Sequence, residues 1–432
     1  MHTDLNINVK HVTRIEGHGN IVVNATDGTI EQLQWQVPEA PRFFEAMVRG
    51  RSYEDIQPIV SRICGICSIS HSLVATKAVE EALDIEVSEQ TDLIRLLLHY
   101  SEQLQSHVLH IGYLAVPDFF GTTSVIPLVP VATDAVKTII KAHRIGNNWS
   151  DLIGGRTTHP LTIKPGGFTK IPNENQFREL QQTLKETLTD LATIAEVVLS
   201  VAEKIPDFQR DTEYVSLSNP QRYAFYHGDI VSTDGYSASV PDWQNIANEY
   251  VVEQSTAKWA KWHRDSYAVG ALARFNNNAD QLTDSAKALA KKCGLQKPCC
   301  NPYMNTVAQL VEAVHITEAS NEIIDHLLTN GLVNENVKTK PKAGLGNAAI
   351  EAPRGILFHQ YEFDSKGNCL AADMCIPTNQ NHANIQKDFE ELVPQIIKEG
   401  QDAVTQKLEM LVRAYDPCVS CSTHYLQVTF VR

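Results

Sequence analysis

The 432-residue sequence has no apolar run of membrane-spanning length, and its first residues, MHTDLNINVK, hold no apolar core of a secretory signal. The expectation is a cytoplasmic protein with no membrane span. It has no surplus of base either. Thirty-seven Lys and Arg against 51 Asp and Glu leave a net charge of -14, which argues against a nucleic-acid surface, since that calls for a basic stripe. No internal repeat, low-complexity tract or clear linker breaks the chain. An even set of cysteines is also missing. There are nine, and an odd count without a signal fits free thiols in a reducing compartment better than a disulfide framework. Gly344-Leu345-Gly346-Asn347-Ala348-Ala349 lacks the third glycine of a dinucleotide loop and does not sit between a strand and a helix.

What is present is concentrated in two stretches. Cys64-Gly65-Ile66-Cys67 is followed by His71, and Cys418-Val419-Ser420-Cys421 is followed by His424. A Cys-x-x-Cys turn points two sulfurs at one centre, so two turns make a four-thiolate site. Spacing alone leaves structural zinc and an iron–sulfur cluster open. Structural zinc usually pins a small unit with closely spaced ligands. Here the pairs bracket nearly the whole chain, which favours a buried catalytic metal centre. Cys293, Cys299, Cys300, Cys369 and Cys375 remain outside these motifs; the adjacent Cys299 and Cys300 show no local ligand spacing and read as packing or surface thiols.

Periodicity predicts an α+β, mainly α protein, with a bundle of long helices and peripheral β-sheets. Residues 1–50 form an N-terminal β region, with Asp27-Gly28 a tight turn and Thr13-Arg14-Ile15-Glu16 read as a strand. Residues 71–330 are a mainly helical core. Leu97, Leu104, Val108 and Ile111 share one face of a helix over about 89–115, ended by Pro117. His107 and His110 on it read as buried, hydrogen-bonded histidines. The clearest helix, about 174–204, keeps a three-four apolar step from Phe177 to Val201. Trp259, Trp262 and Tyr267 read either as a partner face or as core packing. Residues 345–424 form a C-terminal β/α region closing the metal site. The two halves of that site lie at opposite chain ends, so residues 1–432 read as one interwoven domain.

The surroundings of the cysteines carry a resemblance. Arg62-Ile63-Cys64-Gly65-Ile66-Cys67 and Asp416-Pro417-Cys418 resemble the two signatures of the nickel–iron hydrogenase large subunit. Val12-Thr13-Arg14-Ile15-Glu16-Gly17-His18, Arg42-Phe43-Phe44-Glu45, Ser106-His107-Val108-Leu109-His110, Pro117-Asp118-Phe119, Pro165-Gly166-Gly167 and Glu351-Ala352-Pro353-Arg354-Gly355 follow in the expected order.

The resemblance implies reversible heterolytic cleavage of dihydrogen. Cys64 and Cys418 are then terminal nickel ligands. Cys67 and Cys421 bridge nickel to an iron carrying carbon monoxide and cyanide. Cys418 is the expected first proton acceptor and Glu16 the next relay. Arg354 is expected over the open face of the metals, its charge compensated by Asp118 and Asp416. His71 is expected to hydrogen-bond a bridging thiolate, and the Thr378 hydroxyl to face an iron cyanide. Glu45, a carbonyl near Ile376 and His424 match a magnesium site.

No iron–sulfur cluster is expected in this chain, so electrons leave through an iron–sulfur small subunit. The branch looks most like the cytosolic, pyridine-nucleotide-linked sulfhydrogenase type, with flavin/iron–sulfur diaphorase-type partners. Methyl-viologen-reducing, heterodisulfide-reductase-linked and hydrogen-sensing members are alternatives, as is a structural zinc tetrathiolate. Tyr425 to Arg432 read as a maturation tail, removed by a dedicated endopeptidase after a maturation chaperone has acted.

Overall fold

The structure is a computed structural model and describes residues 4–130, 132–335 and 337–423. At the N-terminus the strands Leu5–Val9, Asn20–Thr26 and Thr29–Gln36 form an antiparallel sheet in that order. Their burial alternates, as a sheet with one covered face requires. Asp27 and Gly28 both take left-handed backbone, φ 48° and 79°, the geometry of a tight hairpin turn. The expected strand over Thr13–Glu16 is not formed. Glu16 makes one isolated parallel bridge, to Cys418, and that is how the first segment meets the last.

The centre is helical. Ser88 caps the helix Glu89–Leu109 by accepting from Thr91 N–H at 3.0 Å. It packs between the helices Thr133–Gly154 and Asn305–Asn330, and the latter packs on Glu174–Ser200. Asn173 and Gln176 close a capping box at the start of that last helix. After Leu109 the coil continues as a π-helical turn, His110–Ala115, and then as Val116–Phe119. Pro117 therefore falls in a first turn, where a proline has no N–H to waste, and does not end the helix. His107 shares a hydrogen bond with Glu312 at 2.8 Å, and His110 with Gln309 and the Arg413 carbonyl; both are buried, as their sequence context suggests. Trp259 and Tyr267 are core residues, and Trp262 is partly buried against the same packing.

A C-terminal antiparallel sheet, Gly344–Ala352, Gly355–Phe363 and Cys369–Cys375, lies on the helix Ser68–Ala82. This contact explains the glycines at 344 and 346. A Cβ on Gly344 would stand 2.0 Å from the Ala82 carbonyl oxygen, and one on Gly346 1.9 Å from that of Ala78. The helices Pro377–Ile396 and Gln401–Ala414 then return the chain to the first cysteine pair. One apolar core takes side chains from Leu5 to Cys421. Among the described residues no helix is long and apolar enough to cross a membrane.

Candidate metal centre

Cys64 follows a short 3₁₀ turn, Ser61–Ile63, and Cys67 stands just before the helix Ser68–Ala82. The turn aims the backbone N–H groups of Ile66 and Cys67 at Cys64 Sγ, each at 3.2 Å. Cys418 precedes the short helical turn Val419–Ser422, which carries Cys421. All four thiols are buried, and their sulfurs lie within 4.8 Å of one another. Among the described residues this is the one cluster of three or more His, Cys, Asp or Glu side chains placed to share a metal ion.

The sulfurs do not ionise alike. Hydrogen bonds from Cys418 above all, then from Cys421 and Cys67, together with the Arg354 charge, hold Cys64 well below its usual range. Burial pushes Cys418 up, and burial pushes Cys421 up to about 11. The guanidinium beside them, Arg354, is itself paired with the Asp416 carboxylate. Four buried thiolates need further positive charge at their centre, and soft sulfur donors select soft or borderline metals, so the set fits nickel with low-valent iron.

Glu16 is brought there by backbone pairing. Val419 N–H donates to Glu16 O at 2.9 Å. The Glu16 carboxylate then accepts from the Cys418 thiol at 3.2 Å and from Ser420 N–H at 3.1 Å. Gly17 follows with φ 82°, and a Cβ on it would lie 2.6 Å from Ser420 N, so a side chain would push the two segments apart. Arg42 donates to the Ser420 carbonyl and holds the same turn from the other side. Thr378 Oγ1 accepts from Cys418 N–H at 3.0 Å.

Arg354 is 4% exposed. Its Nε donates to the Asp416 carbonyl at 2.6 Å and its Nη2 to the Asp416 carboxylate at 2.8 Å. Gln309 Nε2 donates to the other carboxylate oxygen at 3.0 Å. Asp416 thus pairs with Arg354 in the structure. Asp118 does not. Its carboxylate is taken by Arg413, at 2.7 and 2.9 Å, and by Arg14. Two guanidiniums converge on it, and the other side-chain hydrogen bond of Arg354 runs from Nη1 to Ser106 Oγ, at 3.4 Å. Asp118 braces Arg14, and so the loop carrying Glu16, against Arg413, just ahead of the final cysteine turn.

His71 Nδ1 faces His359 Nε2 at 3.2 Å, and His359 Nδ1 shares a hydrogen bond with the Tyr361 hydroxyl at 2.6 Å. Glu45 is buried and accepts from Met374 N–H at 3.1 Å, beside Ile376. The Ile376 carbonyl accepts from Asn379 N–H at 3.0 Å. His424 and the stretch 425–432 lie outside the described residues. Sequence reasoning missed Ser106 and Gln309. Ser106 stands in a motif whose histidines give the stronger signal, and Gln309 carries no local signal at all, being one of many polar residues in the helix Asn305–Asn330.

Residues 42–152 and 177–424 match the family model described as nickel-dependent hydrogenase, and residues 6–40 match one described as HoxL-like. The chain is 29% identical over 425 residues to the alpha subunit of sulfhydrogenase 1 of Pyrococcus furiosus, covering 98% of this chain and 99% of the relative. It is also 29% identical over 455 residues to the corresponding subunit of the vhc F420-non-reducing hydrogenase of Methanococcus voltae, covering 97% and 94%. Among solved structures, an NAD+-reducing [NiFe]-hydrogenase in its H2-reduced state superposes with a TM-score of 0.86 at 25% identity, over 97% of this chain and 99% of that one.

Proposed function

Because this chain belongs to the nickel-dependent hydrogenase family, as a large subunit, we propose that it cleaves dihydrogen at Cys64, Cys67, Cys418 and Cys421 and passes the electrons, through an iron–sulfur small subunit, to a pyridine-nucleotide partner. It is an oxidoreductase acting on hydrogen. The observation that carries the site reading is the Glu16 carboxylate 3.2 Å from Cys418 Sγ. A closed structural zinc site has no use for a carboxylate on a ligand sulfur or a buried guanidinium beside it.

Cys64 and Cys418 would hold nickel terminally, and Cys67 and Cys421 would bridge it to iron. When bound, the pair supplies a Lewis acid that polarises dihydrogen and accepts its electron pair. The protein handles the proton. Cys418 takes it first, and Glu16 receives it along the existing thiol-to-carboxylate hydrogen bond. Arg354, locked by Asp416, places a fixed positive charge beside the thiolates. His71, oriented by His359, tunes a bridging sulfur. Thr378 has accepted from Cys418 N–H, so its own proton remains to be donated, and a cyanide on iron is the acceptor the resemblance implies. Glu45 and the Ile376 carbonyl are oxygen donors suited to magnesium, with His424 as the third ligand.

The alpha-subunit relative from Pyrococcus furiosus and the NAD+-reducing structure support a cytoplasmic, multi-subunit enzyme with diaphorase-type partners. The equal identity to an F420-non-reducing hydrogenase supports a second reading, in which electrons go to a viologen-reducing or heterodisulfide-linked partner. Residues 425–432 are read as a tail removed in maturation; mass spectrometry of active enzyme that still finds Arg432 would end that idea.

The test is infrared spectroscopy in the carbonyl and cyanide stretching region, with nickel and iron counted on the same sample. Bands with both metals are expected. Stoichiometric zinc without bands would overturn the assignment.

A further inference from the structure

We propose that Arg274 is a positioning residue for Arg354: from inside the core it holds the carbonyl oxygens of the two residues that precede Arg354, and so fixes where that guanidinium stands beside the cysteines. The inference rests on the reading of Arg354 given above.

The strands Gly344–Ala352 and Gly355–Phe363 pair up to Ala352 and Gly355. Pro353 and Arg354 are therefore the two-residue tip of a hairpin, beyond the last rung of the ladder. Pro353 has no N–H, and the sheet does nothing to hold the tip. Arg274 does. It is fully buried on the helix Ala271–Asn278. Its Nη1 donates to the Ala352 carbonyl at 3.0 Å and its Nη2 to the Pro353 carbonyl at 3.2 Å. The other donors go to carboxylates: Nε and Nη2 to Glu312, both at 2.7 Å, and Nη1 to Glu351 at 3.0 Å. Five N–H donors meet five acceptors, which is all that a guanidinium can offer. Charge neutralisation would need only the carboxylates. The two carbonyls are a separate use of the fork, and both belong to the tip.

The clamp is itself held. Glu312 also accepts from the Tyr223 hydroxyl at 2.8 Å and meets His107, so the arginine has a rigid seat. The start of the same helix closes on the tip from the other side. A Cβ on Gly355 would stand 2.4 Å from Val269 Cγ2, and one on Gly270, where φ is 122°, would stand 3.3 Å from the Arg354 carbonyl oxygen. Asn305 completes the frame. It accepts from Leu272 N–H at 2.9 Å and donates to the Ala414 carbonyl at 2.8 Å. The segment that carries Arg274 is thereby tied to the segment that carries Asp416. Both ends of the Arg354–Asp416 pair are set from one frame.

The experiment uses the purified complex of this chain with its small subunit, as wild type, Arg274→Lys, Asn305→Ala, Arg354→Lys and the double variant R274K/R354K. Dye-linked hydrogen oxidation gives kcat and KM for dihydrogen; nickel per chain and infrared bands are measured on each sample. Lysine keeps the charge opposite Glu312 but cannot reach five acceptors. The expected R274K enzyme holds nickel and the wild-type bands, keeps KM within two-fold and loses about 10- to 100-fold in kcat, as displacements on the order of 1 Å do. The double variant is expected to be no slower than R354K alone, because the clamp acts only through Arg354. A wild-type kcat in R274K, or a double variant whose loss is the product of the two single losses, overturns the proposal. If R274K takes up no nickel, Asn305→Ala, which removes no charge, carries the same expectation and the same refutation. A wild-type rate in R354K removes the reading of Arg354 and the proposal together, and that single variant tells this case from a failure of Arg274 alone.

Discussion

Replacing Glu16 by Gln changes one property of the site. The carboxamide oxygen still accepts from Ser420 N–H, which Glu16 does at 3.1 Å, so the pairing of the two chain ends survives. What is lost is a group 3.2 Å from Cys418 Sγ that can take a proton from it. General-base steps of this kind contribute about 10²- to 10⁴-fold, or about 3–5 kcal/mol of barrier. Hydrogen oxidation by Glu16→Gln should fall by a factor in that range, with nickel and iron content unchanged. A second assay locates the defect. Conversion of para- to ortho-hydrogen requires only that the molecule be split and rejoined at the site, with Cys418 as acceptor, and it should persist. Exchange of dihydrogen with deuterium from solvent requires the proton to leave, and it should fall as the oxidation rate does. Undiminished exchange in Glu16→Gln with full metal content would refute the relay, and loss of both reactions together would place Glu16 in the cleavage step instead.

Three further expectations follow from the geometry. Asp118→Asn leaves Arg413 and Arg14 facing a neutral partner; removing one side of a buried pair costs about 3–5 kcal/mol, so the urea midpoint should drop while kcat per nickel stays near wild type, whereas a partner of Arg354 would lose rate first. Gly346→Ala places a methyl 1.9 Å from the Ala78 carbonyl oxygen; overpacking of this kind costs about 1–3 kcal/mol or more, and soluble yield should fall with no change in metal chemistry of what folds. His382 accepts from Trp35 Nε1 at 3.0 Å and is held neutral by burial, its pKa pushed down to about 3. Its folded value lies below the unfolded one, so the stability it contributes is present above pH 6.5 and lost as pH falls from there towards 3. Between pH 6 and 4 this adds a slope of about 1.4 kcal/mol per pH unit, which His382→Asn should remove; an unchanged slope would mean that another group governs the acid limb.

The elements were legible where a local rule governs them. Asp27-Gly28, the three-four step from Phe177 and the two Cys-x-x-Cys turns each carry their own geometry, and each stands where the rule puts it. What was not legible depends on partners far away in sequence. Thr13–Glu16 has the residues of a strand, but among the described residues the only strand-like partner it meets is Cys418, and no window of sequence contains both. Asp118 lies near a motif and carries the right charge for Arg354. The arginines it meets, Arg14 and Arg413, stand far from it in the chain, and a π-helical turn at His110–Ala115 that periodicity does not show precedes it. Ser106, one to four residues from two eye-catching histidines, reaches Arg354 because a helix face selects by angle and not by chemistry. Gly344 and Gly346 suggested a loop by composition; they are strand residues whose missing side chains let a helix approach.

Cys64 and Cys418 are 354 residues apart, and this separation has an energetic consequence. Closing a loop of that length removes about 5–6 kcal/mol of chain entropy from the unfolded state when the closure persists there. Protein contacts close the same loop in the folded state: Trp35 to His382, Glu16 to Ser420 and Arg42 to Ser420. Those contacts vanish on unfolding. Metal–thiolate bonds are the one closure that outlasts them for as long as the metal stays on its sulfurs. The loaded chain should therefore unfold at higher urea than the nickel-free precursor, by a free energy up to that ceiling. Amide exchange should slow most over Val419–Ser422, which in the metal's absence is held by a short turn, the backbone pairing of Val419 with Glu16 and side-chain contacts. Equal midpoints and equal exchange in the two forms would mean that the protein contacts alone fix the final cysteine turn, and that the metals enter a finished site and do not close it.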